Sequence, residues 1–294
     1  MTTISRRDLL RIGAAGLASA ALPGLARAGQ AKKIGLGVQL YSVRDLCGKD
    51  FDAVLKQVAD MGFEGVEFAS GYNGYYQYKD NPAGMKKKLD DLGLKAAGIH
   101  IGANEFLGDK LKKTVEFHRT IGCKYLICPG DARITKAADA AAFAEQFNKA
   151  AELLKAEGMA CGFHNHTGEF AKAEGDKTWW DLFVERTSKD VILQLDFGHA
   201  IYAGVDCVAL VKQGAGRVRT SHIKGRLPKG TQGKKPFVGQ DTGDWKSILG
   251  ACYEVGGTEW FLIEQEDYPD KMSSMDCTKT SLDGLKAILK EMGK

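Results

Sequence analysis

Eight short apolar runs, beginning near Ile34, Phe63, Lys95, Cys123, Met159, Val191, Arg217 and Trp260, punctuate the chain after Gln30. They recur about every 32 residues, the length of one strand, one helix and two short loops. The segments between them carry apolar stripes at helical spacing, as in Phe51, Val54, Leu55 and Val58 or Phe143, Phe147, Ala150 and Leu154. Asp244 stands as an N-cap before Trp245, Ile248 and Leu249. Eight such units in series, with no linker between them, predict an α/β fold built as a single (β/α)8 TIM barrel. A doubly wound sheet is the competing architecture, but Gly35-x-Gly37 lacks the third glycine of a dinucleotide fingerprint. The one long connection, 225–243, is polar and glycine-rich and follows the seventh strand, on the face where barrel loops build sites.

The N-terminus has a different character. Ser5-Arg6-Arg7-Asp8-Leu9-Leu10, followed by the uncharged stretch Ile12 to Leu25 and by Ala26-Arg27-Ala28, resembles a twin-arginine signal peptide with its cleavage site. The stretch is shorter than the roughly 20 residues that span a bilayer. The expectation is therefore a signal peptide at 1–28 and a barrel domain at 29–294, exported to the periplasm and free of the membrane after cleavage. That route carries folded proteins and suits a chain that acquires a metal or cofactor first. The formal net charge of +4 falls to about +1 once Arg6, Arg7, Arg11, Arg27 and Asp8 are removed. With no basic block besides, the chain offers little to a nucleic acid. Its seven cysteines form no C-x-x-C pair, and Cys123, Cys128 and Cys161 lie in apolar runs, so they read as buried free thiols. There is no P-loop, H-E-x-x-H or G-x-S-x-G, which removes nucleotide hydrolysis, zincin proteolysis and serine hydrolysis from consideration.

Polar residues gather where a barrel does its chemistry, at the C-terminal ends of strands: Gln39 and Tyr41, Glu67, His100, His164-Asn165-His166, Asp196, His222, Glu264 and Glu266. Of the six histidines only His118, inside the helix expected over 112–120, stands away from such an end. His164, Asp196, His222 and Glu264 close four consecutive strands. Because neighbouring strands lie about 4.8 Å apart, these ends converge and can hold one divalent ion. Two nitrogens and two carboxylates suit Mn, Zn, Fe or Co, with Mg also possible, better than Ca.

The segments Phe163-His-Asn-His-Thr-Gly-Glu-Phe170, Leu195-Asp-Phe-Gly-His-Ala200, Ser221-His-Ile-Lys-Gly-Arg226 and Ile263-Glu-Gln-Glu266 resemble the xylose-isomerase-like barrels of the sugar phosphate isomerase/epimerase family, from about Lys33 to the C-terminus. Ketose 3-epimerases, hydroxypyruvate isomerase and inosose dehydratase are among its members. The resemblance implies a (β/α)8 fold and a divalent ion on His164, Asp196, His222 and Glu264. It implies substrate contacts at Glu169, His199 and Arg226, with Glu67 and His100 on earlier strands. One position departs from the pattern. The 3-epimerases carry a glutamate on the fifth strand that works as a base opposite the eighth-strand glutamate, and here that position is His164. His166, two residues on and facing the same side, is an alternative ligand.

A metal that binds a ketose carbonyl and the adjacent hydroxyl acidifies the neighbouring C–H. Glu264 or Glu169 is then placed to take the proton, and His166 or His199 to return it. His164 is placed to act as an acid toward a leaving group. Lys224 and Arg226 are placed to neutralise negative charge, and Gln39 to contact substrate. The first expectation is a metal-dependent isomerase or epimerase of an unphosphorylated keto-sugar. The alternative is a keto-glycoside lyase or hydratase of the inosose dehydratase kind, and a non-catalytic periplasmic sugar binder is the third reading. The partner is a small sugar, not a nucleic acid. Tyr72, Tyr75, Tyr76 and Tyr78 follow the second strand and either stack on a sugar or pack a loop or subunit contact, which allows a homo-oligomer. Trp180 and Cys161 read as core.

Overall fold

Each of the eight apolar runs forms a strand, at most a few residues from its expected start: β1 Gly35–Gln39, β2 Gly65–Ala69, β3 Lys95–His100, β4 Tyr125–Cys128, β5 Ala160–His164, β6 Ile192–Asp196, β7 Thr220–Ile223 and β8 Trp260–Ile263. The computed structural model describes residues 33–69 and 75–294. The segment read as a signal peptide lies outside them, as do Tyr72 and the side chains of Tyr75 and Tyr76. The strands close in sequence order into one parallel barrel, with β1 pairing both β2 and β8. Helices follow the strands: α1 Phe51–Asp60, α2 Pro82–Asp91, α3 Leu111–Thr120, α4 Ala140–Ala156, α5 Trp179–Arg186, α6 Phe197–Ala203, α7 Cys207–Gln213, α8 Trp245–Ala251 and α9 Ser274–Glu291. Asp244 caps α8 as expected, accepting from the Ser247 amide at 3.3 Å.

Packing fixes where the strand ends point. At the N-terminal rim the Trp260 ring lies where side chains of β1 and β2 would otherwise stand, since a Cβ at Gly35 would come 2.5 Å from it. Between barrel and outer helices, Phe143 and Phe147 of α4, Phe163 of β5 and Phe183 of α5 form an aromatic cluster, with centroids 5.0 Å apart for Phe143–Phe147 and 5.3 Å for Phe163–Phe183. Truncating one such ring costs about 3–5 kcal/mol. The cluster anchors Phe163 and so sets the height of its neighbour His164. Buried Arg217 donates to the carbonyls of Val191 and Val184 and to Thr187, tying the C-terminal end of α5 to the barrel. Trp180 is fully buried, and all seven cysteines are buried and free. Among the described residues no helix is long and apolar enough to cross a membrane.

His118 sits buried in α3, its Nδ1–H donating to the Thr114 carbonyl at 2.7 Å. Burial outweighs that bond and a nearby Glu105 and lowers its pKa to about 4. The unfolded chain therefore takes up a proton at pH values where the folded chain does not. This contribution is intact above about pH 6.5 and drains away as pH falls toward 4, reaching about 3 kcal/mol. We expect His118→Leu to flatten the dependence of urea-unfolding stability on pH over that window. Superimposable pH profiles for the two proteins would refute the assignment.

Candidate metal centre and barrel mouth

The parallel strands deliver their polar ends to one rim. His164, Asp196, His222 and Glu264, from β5, β6, β7 and the residue after β8, each offer a donor atom within 4.8 Å of the others, and all four are buried. A second, overlapping set is His100, His164 and His222. His166 belongs to neither; its ring packs edge-on to His164 at 4.9 Å and against His199 at 4.6 Å. A cavity of about 330 Å³ opens over the donors, lined by Tyr41, Ala69, His100, Pro129, Gly130, His164, His166, Glu264 and Glu266. A larger hollow of about 710 Å³ lies between α3 and α4, outside the barrel and away from these groups.

Asp196 shows that the donor set suits a cation. Its Oδ1 caps α6 by accepting from the His199 amide at 2.8 Å, whereas its Oδ2 is buried with no hydrogen bond. Oδ2 faces His164 Nε2 at 3.8 Å, and Lys224 Nζ approaches it at 3.5 Å without hydrogen-bonding geometry. A buried carboxylate oxygen left so is costly, and an ion held by two imidazoles and two carboxylates would satisfy it. Burial, reinforced by Glu264, raises the Asp196 pKa against the pull of Lys224 and His222.

The surrounding charges set the protonation of several of these groups. Burial lowers the His222 pKa, but Glu264 and Glu67 outweigh it and carry it to about 10, with Nδ1 at 3.0 Å from Glu264 and Nε2 at 2.6 Å from Glu67. Burial and then the neighbouring imidazoles push His164 well below the ordinary histidine value. Burial, with Lys224, His166 and Arg226, lowers His199 to about 2, and Arg226 donates to its Nδ1 at 2.5 Å. Burial also lowers His166. Both imidazoles expected to return a proton are therefore neutral. Besides His222, Lys224 keeps its proton beside the mouth: burial opposes its charge, but Asp196, Glu264 and Glu266 hold its pKa above the ordinary lysine value. Its ammonium lies 3.1 Å from Glu264 Oε2, contacts Glu266, and is nearly sealed from solvent.

The remaining expected residues take defined places. Glu169 is buried, its Oε2 accepting from the His166 amide at 2.8 Å, which braces the loop after β5. Arg226 lies over the Tyr202 ring at 4.3 Å. Glu67 and Gln39 are fully buried beneath the donors and hydrogen-bond each other at 2.8 Å. Tyr78 donates to Asp52 at 2.8 Å, so its hydroxyl is engaged away from the barrel mouth. Gln194 of β6, absent from the sequence-derived set, lies at the centre of the site: its Oε1 accepts from His100 at 2.6 Å and His164 at 3.1 Å. Its signal was parity, since Gln194 shares a strand face with Asp196.

Comparison with known proteins agrees with this fold. The model of the family described as Xylose isomerase-like TIM barrel matches residues 55–288. Inosose dehydratase of Geobacillus kaustophilus (strain HTA426) is 25% identical over 257 residues, covering 74% of this chain and 80% of that protein. A sugar phosphate isomerase/epimerase from Parabacteroides distasonis ATCC 8503 superposes with a TM-score of 0.71 at 22% identity, over 90% of this chain and 96% of the other. The IOLI protein, solved with a binding zinc atom, superposes with a TM-score of 0.66 at 16% identity, over 88% of this chain and 99% of the other.

Proposed function

The chain belongs to the xylose isomerase-like TIM barrel family, and we propose that it is a divalent-metal-dependent sugar isomerase/epimerase whose first step removes the proton beside the carbonyl of an unphosphorylated keto-sugar. The observation that carries this reading is the buried set His164, Asp196, His222 and Glu264 around the orphaned Asp196 Oδ2, beneath a sugar-sized cavity. The zinc atom of the IOLI protein is consistent with it. A bound ion would supply Lewis-acid polarisation of the carbonyl. Glu264 lines the cavity as the base. Burial raises its pKa, but Lys224 and His222 outweigh burial and hold it well below the ordinary carboxylate value, so it stands ionised. Lys224 keeps a proton 3.1 Å from Glu264 Oε2 and is placed to protonate an oxygen of the substrate. Two glutamates line the cavity, and the adjacent Lys224 ammonium is already engaged by Asp196, Glu264 and Glu266, which supports a neutral sugar over a phosphorylated one. The leader read at 1–28 supports an exported enzyme.

A second reading, β-elimination, is favoured by one specific feature. The donor set holds only one glutamate, and the fifth-strand position opposite it is the imidazole of His164. Epimerisation by two carboxylates on opposite faces lacks its second base here. Elimination needs one base and an acid for the leaving group, which Glu264 and Lys224 provide, and the relative from Geobacillus kaustophilus is an inosose dehydratase.

Incubation of the metal-loaded protein in D₂O with ketoses and 3-keto-glucosides, followed by NMR, separates the readings. Chelator-sensitive deuterium in a recovered or isomerised ketose is the expected result. Chelator-sensitive loss of a β-substituent moves the assignment to the lyase, and exchange in neither substrate class removes both.

A further inference from the structure

We infer that Glu67 and Gln194 form a hydrogen-bond relay beneath the barrel mouth that sets which nitrogen of His164 and of His222 is offered to a metal ion; the inference rests on the metal-dependent reading above. The relay can be followed atom by atom from a fixed end. The Tyr41 backbone N–H donates to Gln39 Oε1 at 3.0 Å, which leaves the Gln39 amide nitrogen to donate to Glu67 Oε2 at 2.8 Å. Glu67 Oε2 also accepts from His222 Nε2 at 2.6 Å. Glu67 Oε1 accepts from Gln194 Nε2 at 2.7 Å, and the same nitrogen donates to Thr220 Oγ1 at 2.8 Å. Turning the Gln194 amide over would set its oxygen against a carboxylate oxygen, so the observed orientation is enforced.

Two tautomers follow from that orientation. Gln194 Oε1 can only accept, so His164 Nδ1 at 3.1 Å must carry a hydrogen and His164 Nε2 is left with its lone pair, facing Asp196 Oδ2 at 3.8 Å. His100 Nε2, at 2.6 Å from the same oxygen, must likewise be a donor. Glu67 takes a hydrogen from His222 Nε2, so the nitrogen an ion would use is Nδ1, whose own hydrogen faces Glu264 Oε2 at 3.0 Å in the metal-free protein and would be displaced on binding. One buried carboxylate thus orients one ligand directly and the other through an amide. The barrel also keeps space for that carboxylate. A Cβ at Gly98 would lie 2.7 Å from Glu67 Oε1, and the pairing of β2 with β3 slips register between Val66 and Glu67.

Glu67 and Gln194 are positioning residues, and the test reads position directly. In full-length protein with ¹⁵N-labelled histidine, His164 is expected as the Nδ1–H tautomer, both without metal and with Zn²⁺. Gln194→Met, close in size but without donor or acceptor, is expected to lose that signature. It should weaken Zn²⁺ binding, measured by competition with a chromophoric chelator, about 10- to 100-fold. Gly98→Ala, which removes no polar group, is expected to weaken binding in the same direction. An Nε2–H tautomer for His164 in the parent, or parental Zn²⁺ affinity in Gln194→Met, overturns the relay while leaving the metal reading intact. If Gln194→Met does not fold, the tautomer in the parent decides alone. A parent that binds no Zn²⁺, Mn²⁺ or Co²⁺ overturns the metal reading and the relay together.

Discussion

Asp196→Asn is expected to abolish divalent-ion binding and still leave the metal-free protein at least as stable as its parent. The two carboxylate oxygens have separate duties. Oδ1 caps α6 through the His199 amide, and an asparagine oxygen can do the same. Oδ2 is buried without a hydrogen bond, and burial pushes the carboxyl pKa up. An amide nitrogen there removes the unsatisfied acceptor and gains a donor toward the His164 Nε2 lone pair, 3.8 Å from the present oxygen, while Lys224 keeps Glu264 and Glu266 as partners. An unpaired buried acceptor of this kind costs about 1–3 kcal/mol, so melting in the presence of chelator should be unchanged or higher. With Zn²⁺ at a hundredfold excess over its dissociation constant, the parent should gain about 2.7 kcal/mol and the variant nothing. Substrate proton exchange should fall at least about 10²–10³-fold, the loss that follows removal of one charge-stabilising group. A parent whose melting ignores Zn²⁺, or a variant less stable than the chelated parent, would contradict this account of Oδ2.

The barrel was legible because each strand is a short apolar run bounded by an amphipathic helix, so the 32-residue rhythm survives without any knowledge of tertiary contacts. The donor set was legible for a related reason. A parallel barrel puts all C-terminal strand ends on one rim, and His164, Asp196, His222 and Glu264 end four consecutive strands. What lay one layer deeper was not. Gln194 stands inside β6, two residues before Asp196, and an amide in an apolar run says nothing of its partners until Glu67 arrives from β2 and His100 from β3. Glu67, read as a substrate contact, instead has both oxygens occupied by Gln39, His222 and Gln194. The protonation of His199 was equally hidden, because Lys224 and Arg226 reach it from beyond β7. Charge at a site is a sum over elements far apart in the chain, and periodicity does not record it.

Lys224→Met should produce the largest loss of stability, and a loss that shrinks as pH falls. In the parent the ammonium is buried among Asp196, Glu264 and Glu266. Removing it leaves the buried carboxylates of Asp196 and Glu264 facing one another without their cation, a change worth about 3–5 kcal/mol. Burial alone would raise the Glu264 pKa; Lys224 heads the groups that bring it down, and His222 follows. In the parent Glu264 is therefore ionised when folded, and its contribution, complete above about pH 4.5, is lost only as pH falls through the lower folded value. In the variant the folded carboxylates hold protons that the unfolded chain has released, so the stability deficit relative to the parent narrows as pH falls from 7.5 to 5. Urea unfolding of both proteins at those two pH values measures the deficit, and an equal deficit at both would show that the ammonium does not neutralise the site. A divalent ion supplies positive charge among the same oxygens, so Zn²⁺ should restore part of the lost stability at pH 7.5. The acid limb of the proton-exchange rate should move to higher pH as well, because the base Glu264 is then protonated first. Recovery by Zn²⁺ together with that displaced limb would tie the lysine to the carboxylates of the donor set, since a packing defect alone produces neither effect.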